Sequence, residues 1–147
     1  MKKLIVMAAA VLFNVAAQAQ TSPEAKAIKK MKSYAEVEQA IKANEANFSN
    51  EDKAFAYNKL VDLALSENSK AEKAAIEAQL AKNEEERVKM TQEKNKAAFN
   101  AISAAIKCNT YDEKGKYKSK NADRLMTLRQ NMVQAGLDSY NTKDYAN

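Results

Sequence analysis

The stretch Ser49-Asn50-Glu51-Asp52-Lys53-Ala54-Phe55-Ala56-Tyr57-Asn58-Lys59-Leu60-Val61-Asp62-Leu63-Ala64-Leu65 carries the clearest reading in the chain. It opens with a capping residue and two acids, the pattern that satisfies and charges a helix N-terminus. Tyr57, Leu60, Val61, Ala64 and Leu65 then fall at i, i+3, i+4, i+7 and i+8, the one-sided stripe of a core-facing helix. The polar run Ser66 to Ser69 is the expected end of that helix.

The same vocabulary extends in both directions. Strong breakers are confined to Pro23, Gly115 and Gly136, and the chain is crowded with Ala, Glu, Lys, Gln and Leu, the good helix formers. Short β-branched runs bounded by turn residues do not occur after the leader, so the fold class is all-α. Upstream, Ser33-Tyr34-Ala35-Glu36 is a capping box, and Val37, Ala40 and Ile41 supply an inward stripe that makes a helical hairpin with the segment after Asn50. Ser22-Pro23-Glu24 can also start a helix, but its polar face predicts a weakly ordered segment over 20–32, with the ordered domain spanning 33–147.

Downstream, Lys70 to Cys108 holds no breaker, yet Lys82 to Lys96 offers only Val88 and Met90 for burial. That middle is either a solvated helical bridge or a connection between two helices; two helices with a polar connection is the favoured reading. Phe99, Ile102 and Ile106 are expected in the core with Tyr57, Leu60, Val61 and Leu65. A basic, turn-rich loop follows over 109–120, and helix resumes from Asn121 to about Asn141 with Leu125, Leu128, Met132 and Gly136 along one side.

The first nineteen residues read as an address. Met1-Lys2-Lys3, the apolar run Leu4 to Ala17 and the small residues of Ala17-Gln18-Ala19 are the three parts of a secretory signal peptide. The apolar run is too short to span a bilayer, which needs roughly 20 residues. The expectation is export, to the periplasm or outright secretion, after cleavage near Ala19. Without Lys2 and Lys3 the formal charge falls from +5 to +3, too mild for an electrostatic nucleic-acid binder. Cys108 is the single cysteine, so an internal disulfide is excluded and a buried small apolar role is expected.

Met132-Val133-Gln134-Ala135-Gly136-Leu137-Asp138-Ser139-Tyr140-Asn141-Thr142-Lys143-Asp144-Tyr145 resembles the first helix and turn of a tetratricopeptide repeat, whose fingerprint is W-x₂-L-G-x₂-Y. Gly136 takes the glycine, Met132 and Ala135 replace the tryptophan and leucine, and Tyr140 lies beside the tyrosine position. Together with the leader, the run Ala56 to Ala64, the run Ala104 to Asp112, Lys114-Gly115-Lys116 and Lys120-Asn121-Ala122, the chain is similar to the N-terminal region of exported bacterial tetratricopeptide-repeat proteins over most of 33–147. The resemblance implies the start of an α-solenoid, in which Gly136 lies where two helices approach closely. It also implies an uncovered edge near Met126, Val133, Leu137, Tyr140 and Tyr145, because each repeat buries its face against a neighbour.

Catalytic constellations are missing from this reading. The sequence has no histidine, which removes Ser-His and Cys-His pairs and histidine-ligated zinc. Glu84-Glu85-Glu86 reads as a solvated face, since consecutive helical residues point in different directions. No cofactor is expected. Lys114, Lys116, Lys118 and Lys120 with Arg124 form the one concentrated charge, either an anionic-surface contact or, the favoured reading, a solubilising loop. The leading expectation is a non-catalytic, monomeric protein- or peptide-binding scaffold. The alternative is a periplasmic holdase resembling the basic, trimeric, long-tentacled helical chaperones, whose β-stranded body finds no counterpart in this sequence.

Overall fold

In a computed structural model describing residues Ser22 to Thr142, a long antiparallel hairpin organises everything else. Five helices follow in order: α1 (Pro23–Ile28), α2 (Tyr34–Asn44), α3 (Asn50–Leu80), α4 (Glu84–Tyr111) and α5 (Lys118–Thr142). No strand occurs among the described residues, and the fold is all-α. α3 has 31 residues, so it is about 45 Å long at 1.5 Å per residue. Its pairing with α4 runs antiparallel: Cys108 lies against Ala54 and Lys94 against Asn68.

The helix starts follow the caps. Ser33 accepts the Glu36 N–H while the Glu36 carboxylate accepts the N–H groups of Lys32 and Ser33, both at 3.2 Å. Those backbone donors hold the Glu36 carboxyl below its ordinary range. Ser49 and Asp52 form the equivalent box for α3. Asp52 is buried and its second oxygen accepts the Ser22 N–H at 3.1 Å, tying the entry of α1 to the start of α3. The packed body therefore reaches back to α1, ahead of Ser33, because Ala25 and Ile28 are fully buried in the core with Val37, Ile41 and Val61.

Two expectations about helix boundaries change. Ser66 to Ser69 do not end α3, which continues to Leu80; Asn68 turns its amide outward to the Lys94 carbonyl at 2.8 Å and leaves the backbone ladder intact. The polar stretch Glu84 to Lys96 is not a connection but the first half of α4. The connection is three residues long. Lys82 N–H bonds the Gln79 carbonyl and Asn83 N–H the Ala78 carbonyl, with Lys82 in the left-handed region at φ 56, a Schellman motif. Asn83 then caps α4, accepting the Glu86 N–H at 3.2 Å.

Phe99 and Ile106 are not core residues, being 61% and 56% exposed. The face of α4 turned into the body is Ala97, Ala98, Ala101, Ala104, Ala105 and Cys108. Small side chains at this spacing let α3 and α4 approach closely, and they rotate the bulky residues of α4 outward. Tyr57, Leu60 and Val61 are buried as expected, and Leu65 and Ile102 pack at the margin. Toward the hairpin tip burial fades: between Lys70 and Lys94 only Ala78 is buried. Cross-links there are polar, such as Lys94 to Glu72 at 3.8 Å.

Candidate partner-binding face

α5 is fixed to the hairpin by a polar clamp and an apolar seam. Asn121 is fully buried and donates to Asn109 Oδ1 at 3.2 Å. Arg124 donates to Asn58 Oδ1 and Asn121 Oδ1, both at 3.2 Å, and pairs with Asp62 on α3. Lys120 also reaches Asp62, at 3.5 Å. One turn on, Leu128 is buried with Ala64, Ala98 and Ala101, and Met132 packs alongside.

This anchoring turns a second stripe of α5 away from the body. Met126, Val133, Leu137 and Tyr140 are 59%, 58%, 52% and 69% exposed, so four of the five expected edge residues lie uncovered on one helix. Tyr145 lies outside the described residues. Between α4 and α5, Ile102, Leu125, Arg129, Met132 and Val133 line a shallow depression of about 390 Å³. Phe99 and Ile106 flank Ile102 one turn either side on α4, so they extend the same surface. Sequence reasoning located the α5 half and missed the α4 half. The signal for it was the alanine stripe from Ala97 to Cys108, which claims the inward face.

A Cβ at Gly136 would meet nothing within 4 Å, so no close helix approach occurs at this position among the described residues. α3 alone is nearly as long as a whole 34-residue repeat unit.

The basic cluster is largely engaged. Lys114 pairs with Glu51 at 3.2 Å, Lys116 lies over its neighbour Tyr117, and Lys120 and Arg124 share Asp62. Its loop is organised by Asp112, whose carboxylate accepts the Lys116 N–H at 2.9 Å and the Tyr117 N–H at 2.6 Å, with Gly115 supplying the positive φ of 68. The loop and the start of α3 line an open pocket of about 370 Å³. At the loop's base Tyr111 stacks on Tyr57 with ring centres 5.9 Å apart.

Cys108 is buried and its thiol donates to the Ala54 carbonyl at 3.2 Å. Burial pushes the thiol up to about 11, so it is no nucleophile at neutral pH. Among the described residues no three His, Cys, Asp or Glu side chains gather as metal ligands, and no helix is long and apolar enough to cross a membrane. No family model, curated protein or solved structure matches this chain.

Proposed function

We propose that this chain is an exported, non-catalytic helical scaffold that holds a protein partner on the α4–α5 face. The observation that carries the reading is the uncovered apolar surface from Phe99 and Ile106 across Ile102 to Val133 and Tyr140. Contiguous apolar surface on this scale marks an interaction site. The non-catalytic part rests on the absence of histidine and on a thiol held protonated. Export rests on the leader, and the mass of the chain recovered from its host tests it: cleavage after Ala19 gives a protein beginning at Gln20.

Photo-crosslinking in the native host tests the binding face. Benzoylphenylalanine at Phe99 and at Val133 should trap the same discrete partner, and the same group at Lys82 on the hairpin tip should not. No adduct, or equal adducts at all three sites, overturns the reading.

One feature favours the holdase alternative: the hairpin projects, and Ile76 and Leu80 near its tip are 53% and 79% exposed. Light scattering on the mature chain separates the two. A monomer supports the scaffold, whereas a discrete trimer supports a clamp-like chaperone.

A further inference from the structure

The occupant of the α4–α5 face can be named more closely from its shape and charge, resting on the reading of that face as a protein-binding surface. Phe99 and Ile106 lie seven residues apart on α4, and Met126 and Val133 seven apart on α5. These are two apolar rails, and Ile102, Leu125 and Met132 form the floor between them. The α5 rail from Met126 to Tyr140 runs roughly 21 Å, about four turns of helix. The six exposed apolar residues present on the order of 600 Å² to water, near the roughly 800 Å² that one partner contributes to a standard interface.

The charge of the groove is one-sided. Arg129 sits in it, exposed, and makes no ion pair with a described residue, whereas Lys114, Lys120 and Arg124 are each paired with an acid. No carboxylate lines the depression. Between Lys94 and Tyr111 the only ionised residues of α4 are Lys96 and Lys107. A second copy seated with its two-fold axis through the groove would set Arg129 beside the same cation, which costs affinity. A ligand with its own acid would instead desolvate and pair Arg129 within an apolar surround, where the pair gains strength.

We propose that the groove takes an amphipathic helix of a partner protein, with apolar side chains at i, i+3 or i+4, and i+7 between the rails and an aspartate or glutamate paired with Arg129. This is helix-in-groove recognition with a charge that sets register.

The test uses the full chain and a display library of alanine-based helical 20-residue peptides, varied on one face among Leu, Phe, Glu, Lys and Ala. Enriched peptides should carry apolar residues at helical spacing and an acid at one fixed position. An enriched peptide should lose at least tenfold in affinity for Arg129→Glu and for Val133→Asp, each first shown to keep the helicity of the parent. Changing its acid to Lys should restore binding to Arg129→Glu. Enrichment of apolar peptides without an acid, or an unchanged affinity for Arg129→Glu, overturns the acidic-helix proposal and leaves the binding face standing. A dimer abolished by Val133→Asp makes a second copy the occupant and also overturns the proposal. A monomer that enriches no peptide overturns both the proposal and the binding face.

Discussion

Arg124 of α5 pairs with Asp62 of α3 across 62 residues of sequence, and its guanidinium also reaches the side-chain oxygens of Asn58 and Asn121. The Arg124 side chain is 14% exposed and that of Asp62 44%, so the two ends of the pair are unequal. Arg124→Ala strands two largely buried amides and should cost about 2 kcal/mol. Asp62→Ala, acting at the wetter end, should cost about 1 kcal/mol. A double-mutant cycle by urea unfolding should show a coupling that shrinks in 1 M NaCl. Two simply additive losses would show that the pair does not hold α5.

Asp52 serves two elements at once. It completes the α3 cap with Ser49 and accepts the Ser22 N–H that precedes α1. Asp52→Ala should therefore cost about 2 kcal/mol, against about 1 kcal/mol for Ser33→Ala at the exposed α2 cap. Equal losses in denaturant melts would mean that the contact to Ser22 contributes nothing.

At the hairpin tip a lysine occupies the left-handed position a Schellman turn usually gives to glycine. Lys82→Gly removes the Cβ penalty and should stabilise the fold by roughly 0.5 kcal/mol. A Gly-containing variant that melts lower than the parent would contradict the turn geometry.

Cys108 makes stability depend on alkaline pH. The folded chain keeps the thiol proton to about 11, whereas the unfolded thiol releases it near the ordinary 9.0. Between those values the unfolded state binds fewer protons, so stability falls as pH rises, and the full contribution is present below about 9. Burial also raises the Tyr34 and Tyr57 hydroxyls, which act in the same direction. Urea midpoints should drop from pH 8 to pH 10.5, and less steeply in Cys108→Ala. Ellman's reagent should leave the native chain unmodified at pH 8 and titrate one thiol after denaturation.

The caps and the α3 stripe were legible because they are local: Ser33 with Glu36, Ser49 with Asp52, and Tyr57 to Leu65 each act within a few residues. The fate of Ser66 to Ser69 was not legible in the same way. Those polar residues can end a helix or ride on its solvated face, and the choice depends on whether α4 lies beside them to receive Asn68. The three-residue turn hid in a polar run for a related reason: a Schellman turn built on Lys82 lacks the glycine that marks such turns in sequence.

The candidate face shows the same division. Its α5 half was expected from the likeness to a repeat with an uncovered edge, and the structure sets Met126, Val133, Leu137 and Tyr140 on an exposed stripe distinct from Leu125, Leu128 and Met132. Its α4 half did not, because a hydrophobicity argument sends Phe99 and Ile106 inward and cannot weigh them against alanines. By itself, then, the sequence determined the all-α class, the caps that start α1 to α3 and the amphipathic register of α3. Only the tertiary structure decided which face of α4 is inside. Close packing of two long helices selects the side that allows the shorter approach, and here that is the alanine and cysteine side, so the larger apolar groups stay in water.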